Sequence, residues 1–261
     1  MKATIDGAEI AYEDHGGGPA VLLFHAFPLG LAMWDAQVAA LCATHRVVRF
    51  DARGFGGSAL GDGPLTMERI ADDGAALLDL LGIEKAVVGG CSMGGYAAFA
   101  FVRRHPQRLA GLALQDTRAA ADTAEAKANR AALAAKVLAE GARAAVEALL
   151  PKLLGETTER EQPELVLGLR ERILATSPPG IANALHGLAA RADSRETLPT
   201  IAVPVLVLVG AEDRLTRPAE AVTMAAAIPR ARLDVIPRAG HLANLENPAA
   251  VNAALLAYLG Q

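Results

Sequence analysis

Cysteine is almost missing from this chain, with Cys42 and Cys91 the two present among 261 residues. Two cysteines make neither a disulfide framework nor a metal-ligand cluster, and they point to a reducing compartment. Aromatic residues are also scarce, at 4%, so a core has to be built from aliphatic side chains and close helix contacts. No apolar stretch approaches the roughly 20 residues that cross a bilayer; Tyr96 to Val102 and Val203 to Val209 are far shorter. Met1 to Asp6 lack the basic-then-apolar order of a secretion signal. Neither sign of charge dominates: 25 Lys and Arg stand against 29 Asp and Glu, a net charge of -4. Nucleic acid and anionic membrane surfaces are therefore not expected partners. No repeat of the solenoid kind occurs. The expectation is one cytoplasmic domain, monomeric or homodimeric, because this length suffices for a single well-filled core.

What the chain does have is hydrophobic residues, 52% of the total and largely alanine, arranged in a rhythm. Ala3 to Ile5, Asp6-Gly7 and Ala8 to Glu13 read as a hairpin, since Asp-Gly suits a tight turn. Short apolar runs follow at Ala20–Phe24, Arg46–Phe50, Ala86–Gly89, Leu109–Leu114, Val205–Val209 and Arg232–Ile236. Near-continuous runs of this kind are expected of strands covered on both faces. Helical patterns alternate with them at Trp34–Leu41, Met67–Leu81, Met93–Arg104, Pro218–Ala227 and Pro248–Leu259. The class predicted is α/β: a mostly parallel central sheet with an N-terminal antiparallel hairpin and helices on both faces. The rhythm breaks once. Residues 118–199 contain no convincing strand, so they read as an inserted helical cap on a core made of 1–117 and 200–261. Asp122 with Glu125 resembles a capping box that opens this region, and Pro151, Pro163 and Ser177-Pro178-Pro179-Gly180 divide it into three or four helices.

Val87 to Gly95 is the most informative stretch, because it sets Gly90-x-Ser92-x-Gly94 between a strand and a helix. A serine on so sharp a turn has a strained backbone and projects its Oγ above the sheet edge. The glycines permit the close approach of strand and helix, and the helix start directs the Met93 N–H toward a developing oxyanion. The plainer alternative is a glycine-rich turn carrying an incidental serine; the strand and helix on either side weigh against it. His241, in Arg238-Ala239-Gly240-His241, follows the last strand and reaches the same sheet edge, where a neutral imidazole can take and return a proton. His15, His45, His105 and His186 read as surface or structural residues. Asp213, just after Val205–Val209, is the favoured carboxylate to orient His241. Glu212 beside it and Asp116 at the end of Leu109–Leu114 are rivals.

With these residues placed, the chain resembles the α/β-hydrolase superfamily over nearly its whole length, and within it small cofactor-free esterases, 3-oxoadipate enol-lactonases and haloperoxidase-like perhydrolases. The matching motifs are Phe24-His25-Ala26-Phe27-Pro28, Asp51 to Ser58, Gly90 to Gly94, Gly210-x-x-Asp213, and Gly240-His241 with Glu246-Asn247-Pro248. The order Ser, Asp, His is that of the superfamily. The resemblance implies Ser92 as nucleophile, His241 as base and Asp213 as acid, with oxyanion donors at Phe27 and Met93. It implies a bracing role for His25 and a tight turn at Asp51 to Ser58, with Asp51 and Arg53 paired. Ala26 stands where the family usually has glycine, which narrows the site. His25, Ala26, Trp34 and Phe27 are pocket candidates, although core packing accounts equally well for Trp34 and Phe27. No metal or organic cofactor is implied. The expected reaction is hydrolysis of a small or medium carboxylic ester or lactone through an acyl-enzyme. C–C bond hydrolysis or peracid formation would use the same residues, and a slow-turnover ligand-binding module is the alternative outside ordinary enzymes. Serine rather than aspartate at position 92 disfavours dehalogenase and epoxide hydrolase chemistry.

Overall fold

A computed structural model describes residues 1–260. Eight strands form one sheet: β1 (Lys2–Ile5), β2 (Ala8–His15), β3 (Ala20–Phe24), β4 (Arg46–Phe50), β5 (Ala86–Cys91), β6 (Leu109–Gln115), β7 (Val205–Gly210) and β8 (Ala231–Ile236). Their order is β1-β2-β4-β3-β5-β6-β7-β8. β1 and β2 pair antiparallel, as do β2 and β4, and every later pairing is parallel. β7 is buried along its whole length, and β3, β4 and β6 nearly so, which is why these strands are apolar without alternation. Each large aliphatic or aromatic side chain taken out of water there contributes about 1.5–3 kcal/mol.

The helices are α1 (Asp35–Leu41), α2 (Met67–Leu80), α3 (Met93–Arg104), α4 (Ala124–Glu140), α5 (Arg143–Leu153), α6 (Glu156–Glu161), α7 (Pro163–Leu174), α8 (Pro178–Ala190), α9 (Pro218–Ala226), α10 (Ala243–Glu246) and α11 (Pro248–Leu259). α1 packs with α11 and α2 with α3, so helices cover both sides of the sheet. Among the described residues no helix is long and apolar enough to cross a membrane.

Helices α4 to α8 all lie between β6 and β7. There are five of them, more than the prolines suggest. Pro151 does not divide the segment, because it sits inside α5 near its end. Asp122 is not the cap of α4 either. Thr123 is, its side chain accepting from the Ala126 N–H, while Asp122 turns inward to Arg130 and Arg191.

The topology already singles out one edge. From β3 the chain steps to β4 on one side and then returns to β5 on the other. The loops leaving β3 and β5 therefore part from each other and open a crevice at the carboxyl ends of these strands. Phe24 and Gly90 lie opposite one another at that point, so residues 25–28 and Ser92 meet there.

Candidate active site

Ser92 follows directly on β5 and precedes α3, with φ +53° and ψ -110°. Its neighbours explain why the turn can be this tight. A Cβ on Gly94 would lie 2.1 Å from the Phe24 carbonyl oxygen, and one on Gly90 would lie 2.1 Å from that of Gly94. Backbone occupies the space that side chains would need.

A series of two hydrogen bonds begins at this serine. Ser92 Oγ lies 2.8 Å from His241 Nε2, and His241 Nδ1 lies 2.8 Å from Asp213 Oδ2. With the proton on Nδ1, the imidazole donates to the carboxylate and accepts from the serine hydroxyl; the network assigns this tautomer. Asp213 is held in turn by three further donors. Its Oδ1 accepts from the Leu215 and Thr216 N–H groups at 2.7 and 2.9 Å, and its Oδ2 from the Thr216 hydroxyl at 2.6 Å. Burial raises the pKa of Asp213, but the hydrogen bonds from His241 and Thr216 outweigh it and hold the carboxyl below its ordinary range.

Both rival carboxylates point elsewhere. Asp116 is fully buried; its Oδ1 accepts from Gly210 N–H at 2.8 Å, and its Oδ2 from the Ala243 N–H and Gln115 Nε2 at 3.1 Å. It ties the end of β7 to the loop after His241. Burial and the neighbouring Asp213 charge push its pKa up. Glu212 accepts from Thr157 N–H and Oγ at 2.8 and 2.6 Å. Cys91 also adjoins the site, but burial first, then the charges of Asp116 and Asp213, raise its pKa and keep it a thiol.

A cavity of about 110 Å³ opens at Ser92. Phe27, Met93, Tyr96 and His241 line it, together with Leu215 and Thr216. The inserted helices contribute Arg130, Leu149, Leu153 and Leu188, and the chain after β6 contributes Arg118. Among the described residues, neither the Met93 nor the Phe27 N–H has a protein acceptor.

Of the pocket candidates Phe27 lines this cavity, and His25, Ala26 and Trp34 do not. His25 Nε2 accepts from the Ala52 N–H at 2.9 Å, and Nδ1 lies 3.0 Å from the Ala26 carbonyl. Burial lowers its pKa against the pull of that carbonyl, so the ring is a neutral strut beneath the loop. The Ala26 N–H faces Met33 Sδ at 3.0 Å, and Trp34 is buried in the core. Asp51 and Arg53 are not paired with each other. Asp51 accepts from the Leu31 and Gly57 N–H groups, where two turns converge at the end of β4, and Arg53 reaches Asp73 at 2.7 Å and the Ile5 carbonyl. Thr216, Tyr96, Arg118 and the leucines were not singled out in the sequence. Thr216 had a faint signal in its place three residues after Asp213, where a hydroxyl can close the turn on the carboxylate.

The sequence pattern of the alpha/beta hydrolase fold matches residues 19–248. The chain belongs to the alpha/beta hydrolase family. Among members of that family, 3-oxoadipate enol-lactonase 2 of Acinetobacter baylyi is 31% identical over 99% of this chain and 97% of its own. The structure of a thermophilic esterase from Thermogutta terrifontis with malate bound is similar at a TM-score of 0.96 and 46% identity, covering 99% of this chain and 96% of that one. The enol-lactonase from Burkholderia xenovorans matches at a TM-score of 0.93 and 32% identity, with each chain covered in full. These matches leave almost none of this chain uncovered.

Proposed function

We propose that this chain is a serine hydrolase of small or medium carboxylic esters or lactones, working through an acyl-enzyme on Ser92. The observation that carries the reading is the hydrogen-bonded series from Ser92 through His241 to Asp213, with Ser92 and His241 lining a cavity. In this mechanism Ser92 Oγ attacks the carbonyl carbon while its proton passes to His241 Nε2. The carbonyl oxygen, now an oxyanion, is received by the Met93 and Phe27 N–H groups. His241 returns the proton to the departing alkoxide, then activates the water that clears the acyl group. Asp213 holds the imidazole in its tautomer and stabilises the imidazolium. The relatives named as esterase and enol-lactonase support this substrate class. A cavity this small, walled in part by Arg118 and Arg130, favours short acyl groups, or ones ending in a polar function, over long alkyl chains.

Steady-state hydrolysis of chromogenic short-chain esters and lactones tests the proposal. Rapid turnover by the wild type and loss of turnover in Ser92→Ala, with the fold unchanged by circular dichroism, is the expected result. Full activity in Ser92→Ala would sink the mechanism. Binding without turnover by the wild type would favour a ligand-binding module instead.

A further inference from the structure

Arg118 is a wall shared by two cavities. On one side it lines the cavity of about 110 Å³ at Ser92. On the other it lines a groove of about 450 Å³ between the chain after β6, the turn at Arg195–Thr200 and α9. The groove is apolar: Ala119, Leu198 and Met224 are its buried residues, and Ala219 and Ala227 stand at its rim. The Ser92 cavity alone is well below the ordinary size of a small-molecule site, and the groove falls inside that range.

The wall is weakly held. Arg118 Nη1 reaches Glu220 Oε1 on α9 at 3.5 Å, and both side chains are about one third exposed, at 32% and 38%. An ion pair this long and this exposed costs little to break. The guanidinium also adjoins the Tyr96 hydroxyl, but its Nε is buried and has no partner among the described residues, so its present position is not fixed by a full set of hydrogen bonds. A long arginine side chain can swing its head to solvent while its stem moves little.

We propose that Arg118 is the partition that sets how long an acyl chain the site accepts, and that the groove behind it receives the distal carbons of a longer chain when the guanidinium moves aside. The proposal rests on Ser92 being the acyl acceptor. That one side chain lines both spaces, and that the groove's floor offers methyl, leucine and methionine surface, argues for an aliphatic chain as occupant.

The test is a series of p-nitrophenyl esters from acetate to decanoate, read as the ratio of kcat/KM for octanoate to that for butyrate. The wild type is expected to favour butyrate. Arg118→Ala should raise the ratio by roughly tenfold or more, since several methylenes gain apolar contact. Ala219→Trp fills the groove, and added to Arg118→Ala it should return the ratio toward the wild-type value. An unchanged ratio in Arg118→Ala overturns the proposal, and so does a gain that persists in the double variant. If Arg118→Ala does not fold, Glu220→Gln, which frees the arginine, should shift the ratio in the same direction by less, and no shift there overturns the proposal equally. Wild-type protein that hydrolyses none of the series removes the ester-hydrolase reading and this proposal with it, whereas hydrolysis dependent on Ser92 with a fixed ratio removes the partition alone.

Discussion

Ser92 holds φ +53° in a residue that carries a Cβ, a backbone state that costs on the order of 1–3 kcal/mol and persists only where the surroundings enforce it. The enforcement is visible in Gly90 and Gly94, which let the backbones of β5, α3 and the loop after β3 come within contact of one another. The two acidic residues of the site divide their labour in the same concrete way. Asp213 faces His241, and Asp116 faces only N–H donors of the surrounding loops. Asp213→Asn is accordingly expected to lower kcat by roughly 10⁴, by offering the imidazole a group that no longer selects the required tautomer. Asp116→Asn sets an amide N–H against a backbone donor; it should cost about 1–3 kcal/mol of stability and leave the reaction orders of magnitude faster than Asp213→Asn. Ester kinetics alongside urea melts of the two variants separate the effects, and a crippled Asp116→Asn beside a normal Asp213→Asn would reassign the acid.

The inserted helices show how a segment with little pattern of its own is fastened. α4 and α8 pack together, and their polar anchor is Asp122, almost wholly buried, with Arg130 at 2.5 Å and Arg191 at 2.6 Å. Arg191 also lies over the Tyr96 ring, 4.3 Å from its centroid, which couples the anchor to a residue of the Ser92 cavity. Burial opposes the charged form of Asp122, but the two arginines prevail and hold its carboxyl below the ordinary range. A depressed carboxylate contributes stability above its ordinary pKa of about 3.9, and that contribution is lost as pH falls through the lowered value. Asp122→Asn should thus cost about 3–5 kcal/mol at neutral pH by stranding two arginines, and the gap from wild type should close in acid, as the wild-type carboxyl protonates; chemical denaturation at neutral pH and below pH about 3 measures both. This anchor was not legible in the sequence, where Asp122 looked like a helix cap. Strands buried on both faces announce themselves by apolar runs, and the helices flanking the sheet by their starts, so the sheet, the turn at Ser92 and the loops bearing Asp213 and His241 could be located. An alanine-rich helix marks no preferred face, and so Arg130, Leu149 and Leu188 gave no sign that they line a cavity.

Across the whole molecule, the inserted segment and the loops bearing Asp213 and His241 behave as one assembly, because they are joined at Gly155. Its N–H donates to Glu246 Oε2 at 2.8 Å, and that same carboxylate accepts from Leu242 N–H, next to His241, at 3.1 Å. Glu212, beside Asp213, holds Thr157 two residues on. The backbones themselves touch: a Cβ on Gly155 would lie 2.9 Å from the Gly240 nitrogen and 2.5 Å from Glu212 Oε2, and one on Gly240 would lie 2.2 Å from the Gly155 nitrogen. Motion of α5 and α6 therefore cannot occur without disturbing the loops that position the base and the acid. Gly155→Ala should push this junction off the His241 loop, costing about 1–3 kcal/mol as an overpacking change and lowering kcat/KM for short esters, although the residue touches none of the reacting groups. Gly168 supplies the control. It lies exposed within α7, and a Cβ there meets nothing within 4 Å, so Gly168→Ala should stabilise the protein by about 0.5–1 kcal/mol through helix propensity with kinetics unchanged. Thermal melts and ester kinetics on the pair decide the matter: equal behaviour of the two variants would show that the inserted segment moves independently of the loops beneath it.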